Sequence, residues 1–64
     1  MQNFPKYLTE REVSEFTRIG MKTLQQHRWK NTGIPYHKFG GTVRYSEEDV
    51  LQYMKNCRVE TEIT

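Results

Sequence analysis

The sequence predicts a mainly α-helical domain with one small β-hairpin, in the order helix, tight turn, helix, hairpin, helix. Three observations carry this. Ile34-Pro35-Tyr36-His37-Lys38-Phe39-Gly40-Gly41-Thr42-Val43-Arg44-Tyr45-Ser46 sets two short runs containing aromatic and β-branched residues around a Gly-Gly pair, a strong local hairpin signal. Thr9-Glu10-Arg11-Glu12 and Ser46-Glu47-Glu48-Asp49 read as helix starts. Arg18-Ile19-Gly20 and Asn31-Thr32-Gly33 interrupt the helical pattern between them.

Residues 1–7 show no helical period, and Pro5 argues against a helix there. They read as an arm, with Phe4 and Tyr7 expected to fold back onto the core. The first helix begins at Thr9, whose hydroxyl accepts from the Glu12 amide while the Glu12 carboxylate reaches back. Leu8 and Val13 stand at hydrophobic-staple positions, and acidic residues in the first turn suit the helix dipole. Val13 and Phe16 give the inward face. The helix stops near Thr17, too short to be stable without tertiary packing.

In the connection Arg18-Ile19-Gly20, Ile19 plugs the gap between two helices and Gly20 serves as an N-cap. The second helix runs from Met21 to Trp29 or Lys30. Leu24 and His27 (or Arg28) lie inward, leaving Met21, Lys22, Gln25 and Gln26 outward. Ile34-Pro35 then starts the hairpin. A three-residue loop Gly40-Gly41-Thr42 would pair Phe39 with Val43 and His37 with Tyr45. That register puts those four on one mostly apolar face and Tyr36, Lys38 and Arg44 on a basic one. Ser46 caps the third helix, with Asp49 a weaker box partner than glutamate and Tyr45 and Val50 at staple spacing. Val50, Leu51, Met54 and Cys57 form its inward stripe, and the polar, β-branched tail from Arg58 is expected to fray.

Sixty-four residues make one domain at most. A chain this short buries only about 60% of its unfolded surface, so its core is thin and made of a few large side chains. A single cysteine excludes an internal disulfide and a cysteine zinc cluster. No apolar run is long enough for a membrane span or signal-peptide core, so a soluble, cytoplasmic protein is expected. No nucleophile has a matched base and orienter, and both acidic clusters are explained by helix starts, so enzyme activity is not expected. His27 and His37 lack a carboxylate or cysteine at ligand spacing, so neither a metal site nor a cofactor is expected. His27 reads as a partly buried packing residue, Trp29 as core or hairpin support, and Met54 and Cys57 as core.

The net charge of +2 says little, but its distribution says more. All acidic residues lie outside residues 16–46, while Arg18, Lys22, Arg28, Lys30, Lys38 and Arg44 lie inside. An acid-free basic segment between acidic flanks implies a polyanion partner. Two short helices on a tight turn form a helix-turn-helix, whose second helix enters a DNA major groove, and a following hairpin would be a wing. Glutamine bonds an adenine edge, and lysine or arginine bonds a guanine edge or a phosphate. The candidate DNA contacts are therefore Lys22, Thr23, Gln25, Gln26 and Arg28 on the second helix and Lys38, Thr42 and Arg44 on the wing. Thr23 is open to bonding either phosphate or its own helix backbone. Arg28 has stacking on Trp29 or Tyr36 as its alternative.

Tyr7-Leu8-Thr9-Glu10-Arg11-Glu12-Val13, followed by Ile19-Gly20-Met21-Lys22-Thr23-Leu24, resembles the opening of excisionase-type, MerR-like winged helix-turn-helix domains. Gly33-Ile34-Pro35-Tyr36-His37-Lys38-Phe39-Gly40-Gly41-Thr42-Val43-Arg44-Tyr45, followed by Ser46-Glu47-Glu48-Asp49-Val50, resembles their wing and capped third helix. The resemblance covers roughly residues 7–55. It implies a small DNA-binding protein of a phage, prophage, plasmid or other mobile element. Such a protein is either an excisionase that bends DNA and directs a recombinase or an AlpA-like transcription regulator. Two positions depart from the pattern: Arg18 where glycine is usual, and Gly20 where a capping serine is usual. If Arg18 is left-handed, it costs roughly 1 kcal/mol.

The expected division is an arm at 1–6, a winged helix-turn-helix DNA-binding domain at 7–57 and a polar tail at 58–64. The expected partners are double-stranded DNA and either an integrase or further copies on adjacent sites, with no membrane and no small-molecule ligand. The rival reading is a protein-interaction module, an adaptor or antitoxin-like factor, which predicts no salt-dependent duplex binding and a contiguous exposed apolar patch.

Overall fold

The computed structural model describes residues 6–61. The elements are β1 (Tyr7–Leu8), α1 (Glu10–Thr17), α2 (Met21–Trp29), β2 (His37–Phe39), β3 (Thr42–Ser46) and α3 (Glu47–Asn56). The strands form an antiparallel sheet in the order β1-β3-β2.

The capping box at α1 is formed. Thr9 Oγ1 accepts from the Glu12 amide at 3.1 Å, and Glu12 Oε1 accepts from the Thr9 amide at 2.9 Å. Arg18 ends α1 in the left-handed region, at φ 64°, and its amide donates to the Ser14 carbonyl at 2.8 Å. Two hydroxyls hold the turn. Ser14 Oγ donates to the Ile19 carbonyl at 2.7 Å, and Thr17 Oγ1 accepts from the Ile19 amide at 3.2 Å. These bonds keep Ile19 against the core and define where α2 begins. Gly20 is the N-cap of α2, with no side-chain cap bond. Ser46 caps α3, its Oγ accepting from the Asp49 amide at 3.1 Å.

The core consists of Leu8, Val13, Leu24, Ile34, Tyr45 and Val50, with Ile19, Val43 and Tyr53 packed around it. Both staple pairs, Leu8 with Val13 and Tyr45 with Val50, are buried. Burying each of these side chains contributes about 1.5–3 kcal/mol, so few residues carry the stability.

Several expectations are corrected. Tyr7 belongs to a strand opposite Ser46 rather than to an arm folded on the core, and its ring lies outside against His37 and Phe39. Phe4 lies outside the described residues. Phe16 is exposed, because α1 is only two turns long and Val13 takes its one buried position. Leu51, Met54 and Cys57 are exposed too: α3 packs through Val50 and Tyr53 beside β3. Trp29 is neither core nor hairpin support; it is 84% exposed.

The hairpin register also differs. His37 pairs with Arg44, Lys38 with Val43 and Phe39 with Thr42, leaving a two-residue loop of Gly40-Gly41. Gly40 takes the left-handed position at φ 63°, as the first loop residue of a type II′ turn requires. β3 is the central strand and must turn Val43 and Tyr45 toward the core beside Leu8. β2 is an edge strand of three residues and takes whichever register the turn dictates. A slip of one residue flips its side chains. His37 and Phe39 therefore join Tyr7, Thr42 and Arg44 on the outer face, and Lys38 shares a face with Val43 and Tyr45.

Candidate nucleic-acid interface

Helix α2 has one fully buried side chain, Leu24, with Met21, His27 and Arg28 partly buried beside it. Successive residues of a helix are about 100° apart, so Lys22, Gln26 and Trp29 form the stripe opposite Leu24. All three are exposed, as are Thr23, Gln25 and the C-cap residue Lys30. Trp29 and Lys30 are not among the contacts predicted from sequence. The signal for Trp29 was present: it stands about 140° around the helix from Leu24.

Arg28 and Gln25 are occupied within the protein. Arg28 donates from Nε and Nη2 to Glu10 Oε2 at 3.1 and 2.8 Å, and Gln25 Nε2 donates to Glu10 Oε1 at 2.9 Å. The ion pair is largely sheltered, with side-chain exposures of 24% for Arg28 and 14% for Glu10. The Glu10 carboxylate raises the guanidinium pKa further, so Arg28 is charged at every accessible pH. Its guanidinium carbon lies 5.7 Å from the Tyr36 ring centre, the stacking alternative the sequence left open. Tyr36 in turn lies 6.3 Å from Tyr45, linking α2 to the hairpin. Glu10, Arg28 and Tyr36 thus set the angle between α1, α2 and the strands.

Lys30 is the C-cap of α2, and in the connection that follows Asn31 and Gly33 take positive φ values of 56° and 82°. A Cβ at Gly33 would stand 2.7 Å from the Cβ and Nδ1 of His27, so the chain passes His27 closely enough to need glycine. The Nδ1 of His27 is buried without a hydrogen-bond partner, and so is the hydroxyl of Tyr45. Burial pushes the Tyr45 hydroxyl pKa up and keeps it protonated.

The expected basic face of the hairpin is divided. Lys38 and Arg44 project from opposite faces, a direct result of the two-residue loop. Arg44 lies half-buried in the central strand, with Nη1 donating to the Val43 carbonyl at 2.7 Å. Lys38 and Thr42 are exposed near the tip. His37 Nε2 lies 3.8 Å from Asp49 Oδ2 on the same outer side as Arg44.

The first turns of the helices differ in charge. Glu10 and Glu12 open α1 and Glu47, Glu48 and Asp49 open α3, whereas the first turn of α2 has no acidic residue and no side-chain cap. Its free amides and Lys22 are chemically suited to a phosphate oxygen. Among the described residues, no group of three or more His, Cys, Asp or Glu could hold a metal ion, and no helix is long and apolar enough to cross a membrane.

Two short helices joined by a hydrogen-bonded turn, with an exposed polar and basic second helix, define a helix-turn-helix protein. A family model described as a helix-turn-helix domain matches residues 7–58, and the chain belongs to that family. Neither the curated proteins nor the solved structures contain a match.

Proposed function

We propose that this protein binds duplex DNA with sequence preference, placing α2 in the major groove and the β2–β3 hairpin, as a wing, on the flanking backbone. The observation that carries the reading is the acid-free exposed surface of α2. Lys22 and Gln26 stand on one stripe, with Lys30 beyond them and no carboxylate on the helix. Lys22 and the amides of the first turn take phosphate or a guanine edge, and Gln26 reads an adenine edge. Thr23 is the adjoining phosphate contact. Gln25 and Arg28 act through Glu10, orienting α2 rather than contacting DNA first. Arg44, Lys38 and Thr42 reach the backbone from the two faces and the tip of the hairpin.

A single module covers only about 600–1,000 Å² of DNA-facing surface, so specificity comes from adjacent sites or a protein partner. Within this reading the protein serves a mobile element, as an excisionase beside an integrase or as an AlpA-like regulator at one operator. The exposed Phe16 on α1 and Leu51 and Met54 on α3 belong to neither α2 nor the hairpin and suit contact with such a partner.

The test is binding of a labelled mixed-sequence duplex across a salt series, wild type beside Arg44→Ala. Affinity should fall with salt, and the variant should be weaker with a slope shallower by about one unit. Absence of binding by the wild type at low salt would overturn the DNA reading and favour the protein-interaction module.

A further inference from the structure

We propose that Trp29 is a DNA-contact residue, laying its indole against the sugar–phosphate wall of the groove that receives α2. The inference deepens the DNA-binding reading and rests on it. Trp29 is 84% exposed, more than any other large apolar side chain inside an element. An isolated exposed leucine needs no explanation, but an indole in water leaves the largest apolar side chain unused. Its surroundings indicate what covers it. It shares the outward stripe of α2 with Lys22 and Gln26, Lys30 follows it, and no carboxylate lies on the helix. A border with Lys22 and Lys30 and no carboxylate on the helix itself favours a polyanion over a basic protein surface.

Its position along α2 selects which part of DNA it meets. Trp29 lies seven residues beyond Lys22, about 10 Å along the axis at 1.5 Å per residue. The major groove is about 12 Å wide, and recognition helices present their N-terminal residues to the bases. With Lys22 over base edges or the near strand, Trp29 reaches the opposite wall. There the ring face packs on deoxyribose, and the indole N–H, a donor only, bonds a phosphate oxygen. Tyr36, Arg28 and Gln25 form an open depression beside it, and the Glu10 clamp keeps the last two from closing over the ring. Trp29 therefore supplies affinity without sequence preference and without counterion release.

The chain has a single tryptophan, so its emission reports this contact alone. Duplex binding is measured by anisotropy of a labelled strand, and acrylamide quenching of Trp29 is followed in parallel. The expected result is that saturating duplex shields Trp29 from acrylamide. Trp29→Ala should bind roughly tenfold more weakly on every sequence, with an unchanged salt slope, while Trp29→Phe retains most of the affinity. If anisotropy reports binding while Trp29 stays as quenchable as in the free protein and Trp29→Ala binds like wild type, the inference fails and the DNA-binding reading stands. Shielding that grows with protein concentration without DNA also overturns it, assigning the face to a second copy. Failure to bind duplex at all removes the DNA-binding reading and this contact together.

Discussion

Replacing Glu10 by glutamine tests the proposition that one carboxylate sets the angle between α1 and α2. In the folded protein Glu10 accepts two bonds from Arg28 and one from Gln25, at 2.8 to 3.1 Å. A fully exposed ion pair contributes about 0–1 kcal/mol, and breaking a fully buried one costs about 3–5 kcal/mol. With side chains 14% and 24% exposed, this pair lies between those limits. Glu10 also opens α1, where a negative charge contributes about 0.3–1 kcal/mol. Glutamine keeps an acceptor and the shape but removes the charge. The expected loss is about 2 kcal/mol, or a fall in Tm of about 10 °C for a chain of this size. Urea unfolding followed by circular dichroism measures it, with an unchanged m-value confirming the same unfolding reaction. A double-mutant cycle with Arg28→Met isolates the pair, and its coupling should be about 1–1.5 kcal/mol. Most of that coupling should survive about 1 M salt, where exposed pairs are screened. A coupling below about 0.3 kcal/mol would refute the reasoning and leave Arg28 free for DNA.

Other perturbations address the backbone and the caps. Gly33→Ala should destabilise by about 2 kcal/mol or more, combining left-handed strain with the collision against His27, as read by urea unfolding. Arg18→Gly should stabilise by about 0.5 kcal/mol, the relief of left-handed strain being partly offset by greater freedom of the unfolded chain, as read by Tm. The Glu12 pKa is lowered, chiefly by its bond from the Thr9 amide. Its contribution to stability is therefore complete above the unfolded carboxylate value of about 4.3 and is lost as pH falls through the lower folded value. Glu12→Gln should flatten that limb of a Tm-against-pH curve, and an identical acid limb would refute the assignment.

Local chemistry made much of this protein legible in its sequence. Helix starts were readable because Thr9 with Glu12 and Ser46 with Asp49 act within four residues, and the staple partners lie one turn further on. The Arg18 turn and the Gly20 cap were readable for the same reason, since backbone conformation there depends on adjacent residues. The run free of acids marked α2 as the polar surface before its orientation was known. What tertiary structure alone decided is set by contacts distant in sequence. β1 becomes a strand only because Ser46 and Tyr45 lie opposite it. The hairpin register depends on β3 being central and turning Val43 and Tyr45 inward, and that choice separated Lys38 from Arg44. Arg28 and Gln25 look like free contacts in the sequence, yet Glu10, more than a dozen residues earlier, takes both. Phe16, Leu51, Met54 and Trp29 have apolar side chains that predict burial, but a core this small has places for few of them. Hydropathy states which residues are suited to an interior; only the folded chain determines how much interior there is.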